Sequence, residues 1–494
     1  MVKITNILVF IFCAFLSNCQ TIRQIDYEFK VNTIGELIAI NSTASSVVVT
    51  DNVRGGHFHK ENSTGLQINN CTIFESNEAG KFWVRDYEGF VHSKWCGFGS
   101  GDISIEFQSF INTFNKIYFD KGDYKFKRVT CYLKNGIEWA GENGTNFIQL
   151  TPTYNQSIAF NNQSLGQAFI HIIDSSLEKT TPNLVPHDGL HISNINLHGV
   201  DANTTTYNQY RLGLFISNFN NIKIENCNFN DFGGENLVIN PTIKVGGENI
   251  KIVNNVFEGG GEIGLNKVRY VEMNGNIVKN QHIMNGMGVS GDDCNIHNNF
   301  FYNLENYAAA IGGSGQDGVN AHGNLKFFNN TILKAGGGIL ATTDGATNPI
   351  YGIEITNNSF DSIKYTAIAL DLIGDNITSI VSNNTILNFS IPDYNRCVYV
   401  VKNNSSKYKI MNNVFATNSV DYGIYSDNNN VYSFNNIFEN CTIKYTSNVK
   451  LDNYIQVTGT TSSIANANAA SAGVGAGETY KWDDGSAILM MIRK

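Results

Sequence analysis

Five side chains stand where acid–base chemistry could be done: Asp292, Asp293, Asp317, His322 and Asp344. They come from three polar stretches: Gly291-Asp292-Asp293, the loop 312–324, and Thr342-Thr343-Asp344-Gly345. Two carboxylates in different surroundings can divide general-acid and general-base work, because burial and nearby charge separate their pKa values. Facing each other about 6.5–9.5 Å apart, such a pair hydrolyses a glycosidic bond with inversion. The same acids could instead hold Ca2+ for a lyase, the cation neutralising a uronate while a base takes the α-proton. Lys267, Arg269 and Lys334 are the bases nearby in the chain. A second set, Glu235, Glu262, His282 and Glu305, follows another recurring element. Asp and Gly are also ordinary turn residues, so these groups become a site only if the fold stacks them.

That stacking is written in a repeat. The unit apolar-x-apolar-x-Asn-Asn-x-Phe appears at Ile222–Phe229, Ile250–Phe257, Ile353–Phe360 and Tyr408–Phe415, with looser copies between and around them. The first Asn of each copy falls at 194, 226, 254, 274, 298, 329, 357, 383, 412 and 435, about 27 residues apart on average. Period-two alternation makes each copy a short strand with one buried face. A second apolar run follows, as in Glu235–Ile239, Tyr307–Ile311 and Thr366–Leu370. Such short strands bury a core only when stacked coil on coil, about 4.8 Å apart. The prediction is an all-β parallel β-helix, its Asn residues taking left-handed turns and bonding amide to amide between coils.

Composition narrows the function. The 494 residues carry a net charge of −9, which argues against a nucleic-acid partner. Lys3 precedes an apolar run from Ile7 to Leu16, a signal-like segment too short to span a bilayer. It ends in Leu16-Ser17-Asn18-Cys19, which reads either as a lipobox with a lipid anchor at Cys19 or as plain cleavage before Gln20. Either reading exports the protein, to the medium or the cell surface. Seven further cysteines, Cys71, Cys96, Cys131, Cys227, Cys294, Cys397 and Cys441, lack CxxC spacing and read as buried apolar fillers rather than a disulfide framework.

Upstream of the repeat the chain shows Arg54-Gly55-Gly56-His57-Phe58, then Trp83-Val84-Arg85, Trp95-Cys96-Gly97, Phe107-Gln108, Gly122-Asp123-Tyr124 and Gly136–Gly144. This order resembles the pectate-lyase superfamily of right-handed parallel β-helix proteins found on bacterial surfaces and phage tailspikes. The resemblance implies a right-handed, single-stranded parallel β-helix with a short N-terminal capping region. The boundaries are 1–19 for the signal segment, 20–125 for the capping region, 126–455 for the β-helix and 456–494 for a flexible tail with a closing strand. The family implies a polysaccharide partner and cleavage by a hydrolase or lyase; the alternative is a noncatalytic carbohydrate-binding or adhesive surface protein. A tailspike-like homotrimer is the assembly it admits.

Gly291-Asp292-Asp293-Cys294 resembles the paired-Asp motif of polygalacturonases. No Gly-His-Gly follows one coil later and no Arg-Ile-Lys exists, so that assignment fails. Pro186-His187-Asp188-Gly189 resembles a short alginate-epimerase motif but reads as a turn.

Overall fold

The computed structural model describes residues 29–492 except 42, 133, 151–157, 161–162, 166–167, 174–185, 201–210, 241–246, 283, 313–321, 343–349, 372–377, 390–395, 402–405, 452–455, 459–478 and 484–487. The signal-like segment with Cys19, and most of the tail expected to be flexible, lie outside the described residues. The chain forms two compact units, residues 1–97 and 98–494.

In the first unit, a five-stranded sheet and the helix Ile34–Ala39 enclose Leu37, Val47, Phe58, Phe74 and Trp83. Thr33 begins the helix by accepting the Glu36 amide on its hydroxyl, the usual way to satisfy a free helical N–H. The Arg-Gly-Gly and Trp-x-Arg elements meet here. Arg85 is buried, donates to the carbonyls of Cys71, Gly55 and Arg54, and lies over the rings of Phe58 and Trp95. A Cβ at Gly56 would come 2.5 Å from the Arg85 guanidinium, so the glycine makes room for the cation. Both motifs are therefore structural. One expectation is corrected in this unit: Cys71 and Cys96 form a disulfide. The fold brings their Cα atoms to 4.1 Å, a closeness that a spacing of 25 residues does not announce.

In the second unit, parallel strands run from Lys116–Phe119 to Val449–Leu451, each pairing with its counterpart one coil on. This is a parallel β-helix. Each full coil has three strands: the first carries the apolar-x-apolar repeat, a short second follows the Asn pair, and a third holds the second apolar run. For one coil these are Glu248–Val253, Val256–Glu258 and the start of Ile263–Asn274. Inward side chains stack in columns, Ile222 on Ile250 and Phe229 on Phe257 with ring centroids 4.9 Å apart. The helix Ser104–Thr113 lays Phe107 against the rings of Phe119 and Phe126. Cys131, Cys227 and Cys294 are buried, and burial pushes their thiols up to about 12, as for apolar fillers.

The paired asparagines divide their labour. The first takes the left-handed backbone, with φ between 48° and 58° at Asn194, Asn226, Asn254, Asn298, Asn329, Asn357, Asn383, Asn412 and Asn435. The second forms the ladder, buried at every rung but the half-buried Asn436: Asn255, Asn276, Asn299, Asn330, Asn358, Asn384, Asn413 and Asn436 are linked Nδ2 to Oδ1 at 2.9–3.1 Å. Each Oδ1 also accepts the backbone N–H of the preceding ladder residue, as Asn358 does from Asn330. Counting Asn274 as a repeat position is off by one, because Gly275 takes that left-handed turn and Asn276 the ladder place.

Candidate functional site

Two coils carry Gly-Gly-Glu just before the third strand, at Gly233-Gly234-Glu235 and Gly260-Gly261-Glu262. These glycines let one turn settle on the next: a Cβ at Gly260 would fall 1.8 Å from the Phe232 carbonyl oxygen, and one at Gly261 2.4 Å from that of Gly234. The buried Asn236 side chain fastens the stack, donating to the Gly259 and Gly261 carbonyls at 3.1 and 3.0 Å. The result places Glu235 and Glu262 on neighbouring coils at the same corner. Their carboxylates lean over a glycine floor. A Cβ at Gly264 would stand 3.1 Å from Glu235 Oε1, and one at Gly288 2.9 Å from Glu262 Oε1.

Both acids remain partly open to solvent. Burial pushes the Glu262 carboxyl up to about 8; the charge of Glu235 adds to the rise, and a hydrogen bond from Asn285 opposes it. Near neutral pH, Glu262 therefore carries a proton it can donate. The floor continues in register through Gly264, Gly288, Ala310, Leu340, Ala369, Tyr399 and Tyr425. Small residues thus lie beside the acids and aromatic rings further along the same column. Arg396 sits over Tyr399 and Tyr425 at 4.2 and 4.5 Å from their ring centroids, and Tyr422 meets Tyr425 edge-on.

Of the second sequence set, the structure brings Glu235 and Glu262 together. His282 interacts instead with Asp231, whose carboxyl is raised by burial first and by Glu258 second. Glu305 pairs with Lys364 at 3.1 Å. Of the first set, Asp292 and Asp293 lie at the start of a first strand. Asp292 Oδ1 accepts the Gly323 N–H and Asp293 Oδ1 accepts from Asn324, both one coil on. Arg269 stands 3.6 Å from Asp292 and 3.7 Å from Glu248. Asp317 and Asp344 lie outside the described residues, and His322 begins the strand His322–Phe328. Lys334 lies over the Tyr302 ring. Among the described residues no three His, Cys, Asp or Glu side chains converge as metal ligands would.

No family model and no curated protein matches the chain. Solved structures do. PfbA, a surface adhesin of Streptococcus pneumoniae, is 15% identical with a TM-score of 0.49, over 70% of this chain and 89% of that one. The family 28 exopolygalacturonase of Yersinia enterocolitica is 12% identical with a TM-score of 0.46, over 76% of this chain and 77% of that one. Full-length tailspike protein 2 of an Escherichia coli O157:H7 bacteriophage is 13% identical with a TM-score of 0.38, and the match covers 91% of this chain. The chain spans about half the length of that tailspike, 54%. At such identities the likeness concerns the path of the chain; the site rests on its own geometry.

Proposed function

We propose that this protein is a carbohydrate-active β-helix enzyme that hydrolyses a glycosidic bond of an extracellular polysaccharide along the Glu235–Glu262 face. The observation that carries the reading is the pair itself: two carboxylates from successive coils over a floor of glycine, one of them held protonated at neutral pH. Glu262 gives its proton to the leaving oxygen, and Glu235 acts as nucleophile or as base toward water. The Cys71–Cys96 disulfide supports an oxidising, exported location.

A second reading, noncatalytic adhesion to the same class of glycan, is favoured by the aromatic cluster of Tyr399, Tyr422 and Tyr425. The set Asp292, Asp293, Asp317, His322 and Asp344 is a second proposal for the residues that carry the chemistry. Incubation with a panel of neutral and uronic polysaccharides separates these readings. New reducing ends without absorbance from unsaturated products support hydrolysis, and unsaturated products support a lyase. Glycan binding without cleavage across the panel would replace the enzyme by the adhesin.

A further inference from the structure

On eight successive coils one corner holds a left-handed residue just before the apolar strand. Read down the register it holds Gly136, Gly189, Asn221, Asn249, Tyr270, Asp293, Asn324 and Gly352, with φ between 53° and 80°. Glycine, asparagine and aspartate tolerate this conformation; a bulky side chain there is an outlier that the surroundings must hold in place. Seven of these coils obey the rule and one does not. Tyr270 takes φ 56° and leaves its side chain 52% exposed. Exposure means that packing does not explain the exception, and the Asn-to-Asp amide link seen one coil later between Asn324 and Asp293 is given up as well.

A surface pocket opens beside this ring. Its volume is about 290 Å³, and Asn249, Lys251, Glu272, Asp293 and Asn295 line it together with Tyr270. Strain that serves no core contact marks a position kept for a ligand, and a concave site with one aromatic surface and a few convergent polar groups is how small ligands are held. We infer that this pocket is a second carbohydrate site, separate from the Glu235–Glu262 face, that stacks one neutral pyranose ring on Tyr270. The amides of Asn249 and Asn295 can both donate to and accept from hydroxyl groups, and the carboxylates of Glu272 and Asp293 accept from them. Two carboxylates against the single Lys251 ammonium disfavour a uronate, which fixes the ligand class as a neutral sugar.

The test uses methyl α-glucopyranoside, methyl α-galactopyranoside, methyl α-mannopyranoside and galacturonic acid, each followed by saturation-transfer NMR. It is run on the full chain carrying Glu235→Gln and Glu262→Gln. Failure of the proposed hydrolysis therefore leaves the result intact. At least one neutral glycoside binds; Tyr270→Phe retains that binding, and Tyr270→Asn weakens it by about tenfold or more. Tyr270→Asn also restores the residue type used by neighbouring coils, so its Tm rises while binding falls. A merely structural tyrosine would give the opposite sign in Tm. Unchanged binding in Tyr270→Asn, tighter binding of galacturonic acid than of every neutral glycoside, or no binding of any neutral glycoside would each overturn the inference.

Discussion

Asn358 sits in the middle of the buried amide ladder, and its removal tests what holds the coils in register. Its Oδ1 accepts both the backbone N–H and the Nδ2 of Asn330, at 2.9 and 3.1 Å. Its Nδ2 donates to the Phe327 carbonyl and to Asn384 Oδ1. Asn358→Leu is close in volume but strands the backbone N–H of Asn330 in the interior, while Asn330 Nδ2 keeps the Ile296 and Phe328 carbonyls. At about 1–3 kcal/mol for the stranded N–H and about 1 kcal/mol for each of the two donations lost from Asn358 Nδ2, with some return from the added apolar surface, the loss is about 2–4 kcal/mol. Asn357, one residue earlier, is the control. It holds φ 57° and is not a ladder member, so Asn357→Ala loses only about 1–2 kcal/mol of left-handed preference, and Asn357→Gly loses almost nothing. Urea unfolding followed by far-UV circular dichroism compares them at one protein concentration. If Asn358→Leu proves no more destabilising than Asn357→Ala, the ladder is an ornament of the turns and the reasoning fails.

Glu262→Gln should raise Tm at pH 8 and leave it nearly unchanged at pH 4. The folded state holds this proton to about pH 8 while the unfolded chain releases it near the ordinary 4.5, so wild-type stability falls as pH climbs between those values. The rate of polysaccharide cleavage should fall above about pH 8 as the same proton is lost, which a pH–kcat profile reads directly. Gly288→Ala puts a Cβ 2.9 Å from Glu262 Oε1 and displaces that carboxyl; kcat should drop about 10- to 100-fold with little change in Tm. Cys71→Ser with Cys96→Ser opens a loop of 25 residues and should destabilise the first unit by about 3 kcal/mol, measured by its susceptibility to protease.

The coil architecture was legible because its physics is local and repeated. Alternating Ile, Val and Phe next to an Asn pair specify a buried strand and a left-handed turn in every copy. Which Asn would turn and which would enter the ladder was not legible, since both are the same residue, and Gly275 substitutes for one of them without breaking the run. The carboxylate pair was visible as acids of the right spacing. Its stronger signal was the doubled Gly-Gly-Glu, because glycine before a strand lets coils approach and glycine within it leaves a floor. The Cys71–Cys96 bond and the Tyr270 exception were hidden for another reason. Both depend on neighbours fixed by tertiary packing and register, which spacing along the chain does not encode.

Under the proposed function, Glu262 and Glu235 act together on one sugar bond. Turnover of the most sensitive polysaccharide in the panel by wild type, Glu262→Gln, Glu235→Gln and Asp292→Asn, alongside binding of the same polymer, tests it most directly. A loss of about 10²-fold or more in kcat for each glutamate variant, with binding and fold retained, is the predicted result. Wild-type turnover in both glutamate variants, or a comparable loss confined to Asp292→Asn, would contradict it.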